Sequence, residues 1–154
     1  MLVAEASACR AFAYEGLLIV RPNGFPARLR LKQRREFLRV QRGGHKHHLR
    51  HFMVFVSRRA ATPNEAPPPT RLGVTVTRKI GNAVARNRIK RLVRDVFRCN
   101  RASLPAGLDI VWVAKQQAAT AGHAEVLADF EALVRRGELT SGPRGRGSNK
   151  RKRR

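Results

Sequence analysis

The sequence predicts a single mixed α/β domain, and three observations carry that expectation. Three short runs have strand character: His51 to Ser57, Leu72 to Thr77 and Leu108 to Ala114. Residues 84 to 98, VARNRIKRLVRDVFR, and the segment HAEVLADFEALVRRG each place apolar side chains on one helical stripe. In a chain of 154 residues an apolar fraction of 42% supplies one core, provided the basic ends stay outside it.

In chain order, residues 1–25 hold Glu5, Glu15, Arg10 and Arg21, whose charges cancel, and the turn signal Pro22-Asn23-Gly24 closes them off. They read as an N-terminal extension, expected to be disordered, ahead of an α/β domain at 26–138. From Leu31 to Arg42, LKQRREFLRVQR brings Phe37, Leu38 and Gln41 together at helical spacing, and Gly43-Gly44 is a stop signal. A short basic helix is expected there. HFMVFVS, from His51 to Ser57, combines aromatic and β-branched residues without a breaker, and Leu72, Val74 and Val76 alternate with Gly73, Thr75 and Thr77. Between these two strands TPNEAPPPT, rich in proline, resists both regular structures and reads as a flexible connector. Leu104-Pro105-Ala106-Gly107 is a turn, and LDIVWVA at Leu108 to Ala114 is an apolar run of strand length, buried on both faces. The last helix sets Val126, Leu127, Phe130, Leu133 and Val134 on one stripe, with Arg135, Arg136 and Gly137 as its stop. The tail at 139–154 carries seven basic residues from Ser141 onward, with no acid and no large apolar side chain there. It cannot bury enough surface to offset the entropy of ordering and is expected to be disordered.

The segment at 84 to 98 has two faces. Taking about 100° per residue with Ile89 at zero, Ala85, Leu92, Val93, Val96 and Phe97 fall within a core-facing arc. Asn87, Arg88, Lys90, Arg91, Arg94 and Arg98 fall on the opposite side, and Arg86 lies on the rim of the apolar arc. Asn82 is a suitable N-cap after Gly81, so the first turn would present free N–H groups near Arg86 and Lys79. Helices that serve solubility mix signs, but here Asp95 is the one acid between Arg78 and Arg98. With a formal charge of +23, the chain calls for a polyanion. Arginines at most outward positions suit a phosphate backbone better than base edges.

Other chemistries find little support. The longest aliphatic run, Leu17 to Val20, is far short of the roughly 20 residues that span a bilayer, and the N-terminus lacks the basic n-region of a secretory signal. A cytoplasmic protein with no membrane partner is expected. A metal-dependent nuclease needs two or three carboxylates together, but the three aspartates, Asp95, Asp109 and Asp129, are far apart in the chain. His45, His47, His48 and His51 lack cysteine ligands and a second paired motif, so they read as a polar strand or loop beside the polyanion, with no metal and no catalytic residue assigned to the protein.

The order Arg78-Lys79-Ile80-Gly81-Asn82-Ala83-Val84-Ala85-Arg86-Asn87-Arg88-Ile89-Lys90-Arg91-Leu92-Val93-Arg94 resembles the signature of the bacterial ribonuclease P protein component. A looser similarity runs from Ala27 to Arg136, through Phe37 and Val40, Phe52 and Phe55, Leu72-Gly73-Val74 and Asp109-Ile110-Val111. The resemblance implies a small two-layer α/β sandwich of order αβββαβα, with a left-handed βαβ crossover. It implies the protein subunit of a ribonucleoprotein endonuclease that removes the 5′ leader from precursor tRNA. The chemistry would be carried by a catalytic RNA subunit holding Mg²⁺, with no cofactor on the protein itself.

Carried over by position, Lys79, Arg86, Asn87, Arg88, Lys90, Arg91 and Arg94 fall on the RNA-binding motif. Phe37, Gln41 and Phe55 fall on a cleft for the single-stranded leader, where an aromatic ring can stack on a base. Gln41 departs from the family, which often has an aromatic there, so its contact would be a hydrogen bond. For Phe37 and Phe55 core packing and base stacking stay open; for Phe52 the core is favoured. Two rival readings are a structural RNA-binding protein of ribosomal kind and a protein-only ribonuclease using histidine and lysine.

Overall fold

The computed structural model describes residues 25–59 and 66–136. The expected N-terminal extension up to residue 24, the first part of the proline-rich connector, the last two residues of the expected domain (137–138) and the whole tail at 139–154 lie outside the described residues. The elements are α1 (Arg34–Gly43), β1 (His45–His48), β2 (Phe52–Arg58), β3 (Arg71–Thr75), α2 (Ala83–Asn100), β4 (Leu108–Ala114) and α3 (His123–Arg135), in the order αβββαβα. The strands form one sheet in the order β1-β2-β4-β3. β2 is antiparallel to both β1 and β4, and β3 runs parallel to β4. α2 is therefore the crossover between two hydrogen-bonded parallel neighbours.

The period-2 rule divides the sheet into two faces. On one face Leu72, Val74, Ile110, Trp112, Phe52, Val54 and Val56 meet α2 and α3 in the main core. Trp112 packs edge-on to Phe52 with ring centroids 5.0 Å apart and stacks on Phe130 at 6.4 Å. On the other face Val111 joins Leu31 and Val40 of the α1 region in a smaller cluster, with Phe37, Phe55 and Val113 packed against it. Two helices and the sheet thus hold most of the buried surface, and α1 covers part of the second face. β4 is buried on both faces, which explains its unbroken apolar run.

Two glycines mark close approaches. A Cβ on Gly44, just past the end of α1, would lie 2.5 Å from the Val40 carbonyl oxygen and 2.7 Å from that of Val56. A Cβ on Gly73 would lie 2.6 Å from the Phe37 ring. The first lets α1 end directly over β2; the second lets an aromatic ring of α1 lie on β3.

Candidate nucleic-acid interface

α2 starts as its sequence requires, with the Asn82 side chain accepting a hydrogen bond from the Ala85 N–H at 2.9 Å. Ile89, Val93, Val96 and Phe97 are buried beneath it. Fully burying such side chains stabilises by roughly 1.5–3 kcal/mol each, whereas like charges one turn apart cost a few tenths of a kcal/mol per pair. Burial wins, so the helix is held in place with its repulsions intact.

The polar side chains of the signature on α2 form two rows. Arg86, Lys90 and Arg94, at i, i+4 and i+8, are half-buried, while Asn87, Arg88 and Arg91 are exposed. Arg86 stays at the rim and reaches back, its Nε donating to the Asn82 carbonyl at 3.4 Å. Burial, together with repulsion from Arg30, pulls the Arg94 guanidinium down from its usual value. Lys79 is exposed in the short 3₁₀ turn Arg78–Ile80 that precedes α2. The one acid of the helix, Asp95, faces the same open hollow as Arg88 and Arg91 but pairs with Arg98 at 2.5 Å and lies 3.5 Å from His123. Among the described residues Arg88 and Arg91 meet no carboxylate.

Beside the half-buried row lies an open groove lined by Arg34, Phe37, Leu38 and Gln41 of α1, by Val74, Thr75 and Val76, and by Lys90. Phe37 and Gln41 thus come together as expected, and Lys90 stands on the groove wall rather than beside Arg88. Phe37 is half-buried: part of its ring seals the small cluster over Gly73 and the rest lines the groove. Phe55 does not line this groove. It sits on the same face of the sheet, opposite Val111 in register and packed on the same cluster. Phe52 is fully buried in the main core. Arg34 and Leu38 complete the groove, and their helical spacing from Phe37 and Gln41 was the signal for them.

A buried ion network sets the position of α1, and nothing in the local sequence announces it. Asp109, with a side chain 2% exposed, receives two hydrogen bonds from its register partner Arg71, from Nε and Nη2, each at 2.8 Å. Arg71 Nη1 also donates to Glu36 Oε1 of α1 at 2.7 Å, and Arg59 Nε lies 3.4 Å from Asp109. The hydrogen bond to Asp109 holds the Arg71 guanidinium well above its usual value. Burial pushes the Glu36 carboxyl up, but the Gln33 N–H, Arg71 and the Lys32 N–H outweigh it and leave the group below its ordinary value. Glu36 Oε2 accepts from the Gln33 N–H at 3.2 Å, so one side chain both caps α1 and ties it to the sheet.

The histidines do not assemble a site. His47 is buried under the α2/α3 face, and the exposed His48 points to the opposite face of β1. The His51 backbone N–H donates to Asp129 at 2.8 Å. Among the described residues no group of three or more His, Cys, Asp or Glu is placed to hold a metal ion, and no helix is long and apolar enough to cross a membrane.

The family model described as Ribonuclease P matches residues 25–138 of this chain. The chain belongs to the ribonuclease P protein family. It is 43% identical over 113 residues to the ribonuclease P protein component of Desulfovibrio desulfuricans, covering 72% of this chain and 84% of that one. To the protein component from Syntrophus aciditrophicus it is 41% identical, covering 68% of this chain and 83% of the relative. Among solved structures, the Staphylococcus aureus RNase P protein superposes with a TM-score of 0.61 at 29% identity, covering 72% and 96% of the two chains. The Thermotoga maritima RNase P protein does so with 0.59 at 32% identity, covering 70% and 96%. Membership in the ribonuclease P family makes this chain a component of a tRNA-processing ribonucleoprotein, and the element order αβββαβα agrees with the fold that the signature implies.

Proposed function

We propose that this chain is the noncatalytic protein subunit of a ribonucleoprotein that cleaves the 5′ leader from precursor tRNA. One observation carries the reading: a helix bolted to the sheet by four buried side chains displays arginines that no acid of the described domain neutralises, and an open groove runs along its flank. Arg88, Arg91 and Asn87, with Lys79 at the helix start, dock on the catalytic RNA subunit. Lys90 lines the groove, with Arg86 and Arg94 one turn away on either side of it along α2, and there Phe37 offers its ring and Gln41 an amide to the single-stranded leader. Phe55, outside the groove lining, supports the ring of Phe37 through their shared cluster. Chemistry belongs to the RNA subunit and its Mg²⁺ ions; the protein positions substrate and lowers the repulsion between two polyanions. The burial of His47 speaks against a protein-only ribonuclease built on His47 and His48.

Reconstitution tests the assignment. The purified chain alone should leave precursor tRNA intact, and adding the RNA subunit at low Mg²⁺ should restore cleavage. Cleavage by the protein alone, lost on changing His48, would favour the ribonuclease; recovery of the chain in mature ribosomal subunits would favour the ribosomal reading. If about five cations contact phosphates, affinity for the RNA subunit should fall with a log–log salt slope of about −3.5 to −4.5.

A further inference from the structure

Val84 stands apart from every other large hydrophobic residue of the described domain. It is 76% exposed, while the other large hydrophobic side chains among the described residues are buried or half-buried. It lies in the first turn of α2, at i with Asn87 at i+3, Arg88 at i+4 and Arg91 at i+7, so it shares the exposed row and not the groove side. Nothing in the fold calls for it. A β-branched residue gives a helix less than alanine or arginine would, and Val84 seals no part of the core.

We propose that Val84 is a docking residue that packs on the ribose–base surface of the folded RNA subunit. The inference rests on the reading of α2 as the RNA-facing element and names what that face touches. Charge complementarity selects the occupant: Val84 shares an open hollow with Asn87, Arg88, Arg91, Leu92 and Asp95, and since Asp95 is paired with Arg98 the hollow keeps an excess of guanidinium charge, which suits a polyanion and not an apolar protein groove. Duplex RNA offers a wide, shallow minor groove with ribose C–H groups and 2′-hydroxyls between the phosphate ridges. Along the helix Val84 and Asn87 are about 4.5 Å apart and Arg91 is about 6 Å beyond Asn87, from a rise of 1.5 Å per residue. The row therefore sets an apolar group against sugar, an amide against a 2′-hydroxyl or base edge, and guanidiniums against phosphates. Arginine contacts give strength without telling RNA from DNA; the valine and the amide add a contact that depends on the shape of the groove floor.

The two kinds of contact differ in their response to salt. Affinity of the purified RNA subunit for the full-length chain, for Val84→Ala and for Arg88→Ala should be measured from low to moderate salt. Val84→Ala is expected to weaken binding about five- to tenfold by the same factor at every salt concentration, since removing methyl groups releases no counterions. Arg88→Ala should weaken binding and make the log–log slope shallower by about 0.7–0.9. A Val84→Ala protein within twofold of the parent, alongside a weakened Arg88→Ala, shows a merely solvated valine and overturns the inference while leaving the reading of α2 intact. If neither substitution changes binding, the reading of α2 fails and takes the inference with it. Val84 is exposed and alanine is the better helix former, so the thermal midpoint of the free protein should hold or rise slightly in Val84→Ala, which separates a lost contact from a damaged fold.

Discussion

Asp109→Asn removes one charge from the ion network between α1 and the sheet and keeps the shape of the side chain. Asp109 is 2% exposed and lies against Arg71, which is 17% exposed, and Arg59, which is 26% exposed; the 68% exposed Arg39 is 4.0 Å away and adds little. After the substitution Arg71 keeps Glu36 as its one carboxylate, and Arg59 is left beside it as a partly desolvated like charge. Removing one partner of a buried pair costs about 3–5 kcal/mol, and the partial exposure of the arginines argues for the lower end. With an unfolding entropy near 2.1 cal/mol/K per residue over about 110 ordered residues, about 3 kcal/mol lowers the thermal midpoint by roughly 13 °C. Calorimetry of the free protein at neutral pH reads this directly. Arg71→Ala should have a comparable effect, and the double variant should fall short of the sum, with a coupling of about 1–3 kcal/mol. A drop of under about 4 °C for Asp109→Asn would place the network with exposed surface pairs, and the claim that it holds α1 in place would fail.

Glu36 has a carboxyl group below its ordinary value of 4.5, so the stability it contributes is present above that pH and is lost as pH falls through its folded value. Thermal midpoints measured from about pH 6 downward should therefore show a shallower acid decline in Glu36→Gln than in the parent; parallel curves would remove Glu36 from the account. Gly73→Ala puts a methyl group 2.6 Å from the Phe37 ring and should cost about 1–3 kcal/mol in stability. If the proposed leader site is right, the substitution should also reduce the preference for precursor over mature tRNA, and an unchanged preference would remove Phe37 from that proposal. Asn82→Ala should cost about 1 kcal/mol through the lost cap at 2.9 Å, while Asn82→Ser should recover most of it; equal denaturant midpoints for the two variants would refute the capping role.

What the sequence made legible was whatever depended on near neighbours. β4 was read with its limits intact because a strand covered on both faces has no polar positions to blur it. α2 was read with its cap and both faces, since Asn82, Ile89, Val93 and Arg88 act through helical spacing. β1 stayed open between strand and loop because HKHH carries no apolar signal; pairing with β2 makes it a strand and buries His47 opposite Val54. Val76 and Thr77 were expected to prolong β3, but the chain leaves the sheet after Thr75 to make the turn at Arg78–Ile80 and reach Gly81, whose φ of 152° suits glycine. The groove was legible in part, through Phe37 and Gln41. Its supporting network was not, because Glu36, Arg59, Arg71 and Asp109 meet through the sheet register and have no spacing rule in the chain.

Because α2 joins two adjacent strands, its phase is locked at both ends. A single residue gained or lost in the middle of the helix would turn everything beyond that point by about 100° and carry guanidiniums toward Trp112 and Phe130. Exchange of outward side chains leaves that phase untouched. Lineages of this fold can therefore rewrite the outward face of α2 one letter at a time, while any change of length within this helix breaks that face and the core together.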